Sequence, residues 1–362
     1  MDELLAYLRT YVGFRSIVGN EAVTRECLEW IRSEFLSRAA LTCELGDVNG
    51  ASYLVLQHHA PRVTWFAHVD VVDGNDSQFS LEIDGDRAIG RGVKDMKGAG
   101  LMLLLALRDA FAAGIDPRVT LVLTSDEEIG GGSISTLFER GVLRPSPVAY
   151  TPDNADDDSI AVEHKGAAWL RLVCKGRGTH GATPWLGENP VHDLVTALAT
   201  LRERFPDGTE NDWQVTVSPT MLSGGSTMNA VPSEVECILD VRYPSSQFRS
   251  SEEIMRHVQS LLPRNCTLLL REEGIPLSTD PTLPEIRRFT SIVRDVRGID
   301  VPFRQQHGAS DARFFGKHGV PAFLYGPIGG GLHANDEWVS ISSLRDHLEI
   351  NRRWLRALAD SK

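Results

Sequence analysis

The sequence predicts an α/β protein, a sandwich around a largely parallel sheet, interrupted by an inserted α+β domain. Three observations lead there. Short apolar runs alternate with helical patterns up to about Glu163, strands that alternate apolar and polar positions replace them, and the first texture returns from about 275. Buried runs between helices suit a parallel sheet covered on both faces, whereas alternation of period two belongs to half-buried antiparallel strands.

Residues 2–14 and 21–38 carry apolar side chains at helical spacing, with Asn20 as N-cap of the second helix. Apolar runs at 51–57 and 62–67 read as strands, the second ending in His68-Val69-Asp70. The glycine-rich stretch 85–98 opens into an apolar segment, 99–113, that reads as a buried helix. The run from Val119 to Leu123 reads as a buried strand that stops at Glu127, Glu128 and the glycines 130–132. A helix near 132–140 and a strand at 147–151 follow, and the strand gives way to Pro152-Asp153. Inside the insertion, 166–176, 213–224 and 233–244 read as strands, with helices at 190–204 and 250–262. Their β-α-β-β-α-β order is that of a ferredoxin-like sandwich. Helices near 283–297 and 341–359 complete the first domain, which therefore spans 1–163 and 275–362, with 164–274 as the insertion.

Bulk properties narrow the function. A chain of 362 residues, 42% hydrophobic and 24% charged, suits a two-domain globular protein. No stretch reaches the ~18 apolar residues of a membrane helix. The start, MDELLAYLRTYVGF, has no basic region before its apolar part, so no signal peptide and a cytoplasmic location are expected. A net charge of -12 without a cluster of Lys and Arg excludes nucleic acid as a partner. Five widely spaced cysteines, with no CxxC, read as reduced core residues and support neither a disulfide framework nor a thiolate zinc site.

Open α/β sheets gather functional groups just beyond the carboxyl ends of their strands. His68, the Glu127-Glu128 pair and Asp153 fall at such ends, Asp95 precedes a helix, and His333 lies in GLHANDE. Imidazole and carboxylate together suit zinc or, less selectively, cobalt or manganese. Two histidines and three carboxylates hold two ions if one carboxylate bridges. Adjacent glutamates point in different directions, so one can bind a cation while the other faces its water as a base. Asp70, two residues beyond His68, suits a carboxylate that fixes the imidazole tautomer. Singly, each is ordinary: a Glu-Glu at a strand end is usually a solvated turn, and a lone histidine is usually satisfied structurally. The set is what points to metal. The glycines at 130–132 are followed by no Lys-Ser/Thr, which rejects a phosphate-binding loop.

The motifs HVDVV, GRGVKDMKGAG, TSDEEIGG, HGATP and GLHANDE, in that order, resemble those of the dinuclear zinc aminoacylase/carboxypeptidase family, which includes succinyl-diaminopimelate desuccinylase, acetylornithine deacetylase and glutamate carboxypeptidase. The likeness covers nearly the whole chain. It implies a zinc-peptidase-like α/β/α catalytic domain whose inserted α+β ferredoxin-like domain serves dimerisation. It also implies two zinc ions per subunit, one on His68, Asp95 and Asp153 and one on Asp95, Glu128 and His333, with Asp95 bridging. Glu127 is then the general base and Asp70 the buttress of His68. A cis peptide bond after Asp95 is implied as well. His180 would donate to the oxyanion from the partner subunit of a homodimer. Asn229 and Arg242 match positions that bind the substrate's polar and carboxylate groups, and Gly308-Ala309-Ser310-Asp311 and Gly326 match loops lining the pocket.

One departure matters. Many deacylases of this family carry glutamate in a Gly-Glu-Pro setting where this chain has Thr151-Pro152-Asp153-Asn154. Asp156, Asp157 and Asp158 follow as alternative ligands, though the strand end favours Asp153. The expected activity is hydrolysis of the amide bond of a small N-acyl amino acid, with carboxypeptidase or dipeptidase action as the alternative suggested by Asp153. A binding protein that has lost the chemistry is disfavoured because Glu127 and all five ligands are intact.

Overall fold

The computed structural model describes residues 2–39, 41–153 and 158–360. The chain divides into two compact units. The first comprises Met1–Glu163, Ser278–Gln306 and Ser310–Lys362, and the second His164–Leu277 with His307–Ala309.

In the first unit the large sheet runs in the order Thr42–Val48, Ala51–Gln57, Val119–Thr124, Val63–His68, Ala149–Thr151, Ala322–Leu324, Ile160–His164. Its middle is parallel: Val63–His68 pairs in parallel with Val119–Thr124 and Ala149–Thr151, and Ala322–Leu324 continues the run. Its flanks are antiparallel, so the sheet is mixed where the sequence had suggested a largely parallel one. The cause is local. Asn49 and Gly50 adopt φ of 52° and 83°, and this two-residue turn folds Thr42–Val48 back on Ala51–Gln57 with Val48 opposite Ala51. Thr42–Val48 contains Glu44, Gly46 and Asp47, is mostly exposed or half-buried, and shows no apolar run to betray a strand.

The central strands Val63–His68 and Val119–Thr124 are buried along their whole length, as strands covered on both faces must be. The helix Lys97–Ala112 is buried from Lys97 through Leu107. A helix that is apolar all round belongs in a core; this one packs against Val63–His68 and against Glu3–Gly13, Glu21–Phe35 and Ile341–Ala359. Its first turn is laid tightly on the preceding loop, since a β-carbon at Gly98 would collide with the Val93 carbonyl. These contacts hold rigid the strand ends and the loop that carry the site.

The second unit has the ferredoxin-like order: Gly166–Lys175, Pro190–Arg204, Thr216–Gly224, Glu234–Tyr243, Ser251–Gln259 and Cys266–Gly274. Its antiparallel sheet is ordered Thr216–Gly224, Glu234–Tyr243, Gly166–Lys175, Cys266–Gly274. Alternate residues of Glu234–Tyr243 are buried, and the two helices join them in a separate apolar core. The cysteine reading needs correction here. Cys174 and Cys266 stand opposite each other on neighbouring strands, Cα atoms 4.1 Å apart, and form a disulfide; Cys27, Cys43 and Cys237 are free. At a sequence separation of 92, spacing carries no sign of the pair.

Candidate active site

Three adjacent parallel strands of the first unit deliver the site. His68 is the last residue of Val63–His68 and lies opposite Thr124, the last of Val119–Thr124. Three residues beyond Thr124 a single 3-10 turn, Glu127–Ile129, presents both glutamates. Ala149–Thr151 ends two residues before Asp153, whose N–H donates to the Thr151 hydroxyl at 3.2 Å. Asp95 arrives from the loop ahead of Lys97–Ala112, and the Asp95-Met96 peptide bond is cis. His333 arrives from the loop before Trp338–Ser340, with a left-handed backbone, φ 61°.

The side chains converge on Asp95. One of its oxygens lies 3.0 Å from Nε2 of His68, the other 3.2 Å from Nε2 of His333, and His333 Nε2 is 3.1 Å from Glu128. Ligand atoms of His68, Asp95 and Glu128 all fall within 4.8 Å of one another. A carboxylate with an imidazole nitrogen at each oxygen is arranged as a bridge between two cations requires. Asp70 is buried; its backbone carbonyl lies 3.0 Å from Nδ1 of His68, and its carboxylate accepts from the Glu128 N–H at 3.0 Å. Nδ1 of His68 is thereby occupied, leaving Nε2 to face Asp95.

The electrostatics also fit a cationic guest. Burial pushes the Glu128 carboxyl up to about 7, and burial together with Asp95 pushes Asp153 up to about 6. Glu127 is held well above the usual carboxylate range by burial and by Asp311. Asp95 alone is held low: burial opposes its charge, but His333 and His68 outweigh it. So many carboxylates cannot all ionise together unless positive charge joins them. The donor set of imidazole nitrogen and carboxylate oxygen suits zinc, cobalt or manganese.

The remaining candidates divide between the units. Ser310 is buried in the first unit, its hydroxyl accepting from the Ala312 N–H at 3.3 Å, and Gly326 follows the buried Tyr325. Asp158 is committed elsewhere, bonded to Arg297 at 2.9 and 2.8 Å, which removes it as an alternative to Asp153; Asp156 and Asp157 lie outside the described residues. In the second unit, His180 is exposed on the short strand Thr179–His180, and its Nδ1 accepts from the Ala182 N–H at 3.0 Å. His180 and Asn229 line one cavity of about 690 Å³. Arg242 pairs with Asp240 at 2.6 and 3.0 Å and lies over the Trp169 ring at 4.8 Å. It also lines a pocket of about 190 Å³ with Lys165, Thr216 and His307.

Two buried acids matter here: Asp311, so far only part of a pocket-lining loop, and Glu337, the last residue of GLHANDE. Asp311 is buried, and burial raises its carboxyl to about 7. Glu337, 1% exposed, is bonded to the loop that carries Asp95. Nothing in their local sequence marks them as buried, and only the fold reveals it.

A convergent histidine-carboxylate set at the carboxyl ends of parallel strands defines a metal-dependent hydrolase on an α/β frame. The chain belongs to Peptidase family M20/M25/M40, whose family model matches residues 65–357. Among curated relatives, the succinyl-diaminopimelate desuccinylase of Nitrosococcus oceani is 28% identical over 316 residues, covering 82% of this chain and 84% of that one. An M20 family metallo-carboxypeptidase from Sulfolobus solfataricus shares the fold with a TM-score of 0.79 at 18% identity, over 99% of this chain and all of that one. A dinuclear metal-binding peptidase of the family from Bacillus subtilis does so at a TM-score of 0.68 and 14% identity, over 98% and 97% of the two chains. Among the described residues no helix is long and apolar enough to cross a membrane.

Proposed function

We propose that this chain hydrolyses the amide bond of a small N-acyl amino acid, with two zinc ions held by His68, Asp95, Asp153, Glu128 and His333. The observation that carries the reading is Asp95, with an imidazole nitrogen at 3.0 Å from one oxygen and another at 3.2 Å from the other. Bound there, two such ions would polarise the scissile carbonyl and acidify a water, and cobalt or manganese could replace zinc. Glu127, its charge disfavoured by burial and by Asp311, takes the proton from the attacking water. The C–N bond then breaks, and the same carboxyl returns that proton to the leaving nitrogen, so no proton is lost or gained. Asp70 keeps His68 in the tautomer that points Nε2 inward.

His180 is assigned to the developing oxyanion, acting from the partner in a homodimer. The Ala182 N–H occupies Nδ1 of His180, so the proton of the neutral ring sits on Nε2, available as a donor. A homodimer is supported by the second unit's edge strand Thr216–Gly224, where Met221 and Leu222 are 68% and 64% exposed, since bare apolar edges invite pairing. Asn229 and Arg242 would bind the substrate's polar and carboxylate groups, and Ser310 and Gly326 would line the pocket. The whole insertion, 164–274, is assigned to dimerisation. A cytoplasmic location goes with free amino acid substrates; Cys174 and Cys266 are buried, out of reach of dissolved thiols.

The second reading, a carboxypeptidase or dipeptidase, is favoured by one observation: an aspartate, Asp153, where many deacylases of the family carry glutamate. A panel of N-succinyl and N-acetyl amino acids and dipeptides, assayed for amine release with zinc and with cobalt, separates the two. Turnover of acyl amino acids over dipeptides supports the first, the reverse supports the second, and no amine release from any of them refutes both.

A further inference from the structure

We infer that the buried Arg91–Glu337 pair is a clasp that sets Asp95 and His333 in register, with Glu337 as a positioning residue for both. The inference rests on Asp95 and His333 being ligands, as proposed above. One oxygen of Glu337 accepts from Nη1 of Arg91 at 2.9 Å and from the Gly92 N–H at 2.8 Å. The other accepts from the N–H groups of Lys94 at 2.9 Å and Asp95 at 3.1 Å. The carboxylate thus gathers three amides of the loop that ends in Asp95, from 242 residues further along the chain. Arg91 then reaches back with Nη2 to the carbonyl of His333 at 3.4 Å. Gln78 secures the same loop through the carbonyls of Ala334 at 3.2 Å and Asn335 at 3.3 Å.

The backbone under His333 gives the clasp its purpose. At φ 61° the residue sits in the left-handed region, which residues other than glycine adopt uncommonly and keep only where their surroundings hold them there. The imposed conformation places Nε2 of His333 3.2 Å from Asp95. Stability alone does not account for the arrangement. Arg91 and Glu337 have side chains only 3% and 1% exposed, and a buried ion pair commonly contributes no more than well-packed apolar residues would. What the pair does supply, and an apolar pair could not, is a set of directed bonds to the backbones of two ligand-bearing loops.

The test is cobalt(II) titrated into metal-free protein, read by visible absorption and by bound metal per chain. Glu337→Asp keeps the charge opposite Arg91 and loses one methylene of reach; Glu337→Gln keeps the length and turns an amide NH₂ toward donors. Both should weaken cobalt binding about 10–100-fold and alter the spectrum. Arg91→Lys leaves the three amides on Glu337 and removes the arm to His333; it should loosen cobalt about 10-fold, and it keeps the question answerable if neither Glu337 variant folds. Wild-type cobalt affinity and spectrum in a folded Glu337→Asp or Arg91→Lys protein, whatever its melting temperature, overturns the clasp. Asp95→Asn runs alongside. If it too binds cobalt normally, the ligand assignment fails and the clasp with it; if it loses cobalt while Glu337→Asp does not, only the clasp fails.

Discussion

Stripping the cations should make this protein less stable as pH rises, the reverse of ordinary acid denaturation. Burial holds Glu128 at about 7, Asp153 at about 6 and Asp311 at about 7, against ordinary values of 4.5, 3.8 and 3.8. In that interval the native metal-free chain keeps protons that the unfolded chain has released, so stability is full below the unfolded values and is lost as pH climbs to the folded ones. Glu127 adds in the same direction. From about pH 5 to about pH 8 the excess proton persists for roughly two pH units at Glu128, one at Asp153 and two at Asp311, or about 7 kcal/mol at about 1.4 kcal/mol per unit. Repulsion from shared neighbours, Asp70 among them, enters each of the three values, and discounting it leaves on the order of 3–4 kcal/mol. His347 works the other way: burial lowers it to about 3, so the native state gains about 2 kcal/mol as the unfolded imidazole deprotonates between about pH 5 and 6.5. The carboxylates win. Melting of chelator-treated protein should therefore move down by a few degrees from about pH 5 to about pH 8. Added zinc should abolish or invert that trend, because ligands must be deprotonated to bind it. A metal-free melting temperature that is flat or rises over this range, or that zinc leaves unchanged in slope, refutes the electrostatic account of the site.

Glu127→Gln should keep its metal and lose turnover by about 10²–10⁴-fold; metal analysis beside amine release decides it, and near-normal turnover removes Glu127 as the base. His180→Ala should lower turnover with metal content unchanged, and mixing it with Glu127→Gln subunits should restore part of the activity if His180 acts across a dimer. Failure to complement in a mixture shown to exchange subunits argues against the trans role. His347→Phe, in the metal-loaded enzyme, keeps the stack on Tyr325 and removes the acid liability. Its stability relative to wild type should improve by about 2 kcal/mol between about pH 7 and pH 5, and parallel pH curves would sink that assignment.

The order of elements was legible because each rests on local patterning. Pro190–Arg204 and Ile341–Ala359 follow helical periodicity, and Val119–Thr124 is a plain apolar run. Thr42–Val48 was not legible, since an edge strand that carries Glu44, Gly46 and Asp47 needs no apolar side. Its partner strand and the Asn49-Gly50 dipeptide were in view, and together they were the available signal for the hairpin. The Cys174–Cys266 bond lay deeper. It depends on the register of two strands that meet only after the whole second unit has folded.

The site divides along the same line. His68, Glu127, Glu128 and Asp153 are legible because a strand's end can be read locally, and strands that lie parallel and adjacent bring their ends together automatically. His333 comes from a loop, and what brings it to Asp95 is a set of backbone bonds made by Glu337, Arg91 and Gln78. Those residues look like ordinary surface polar residues in the sequence, because hydrogen bonds to main-chain atoms leave no periodicity and no spacing rule. The proposed ligands on strand ends need only the sheet to place them. The proposed ligands on loops need dedicated supports, and the residues at 78, 91 and 337 are therefore where substitutions outside that set should disturb metal binding most.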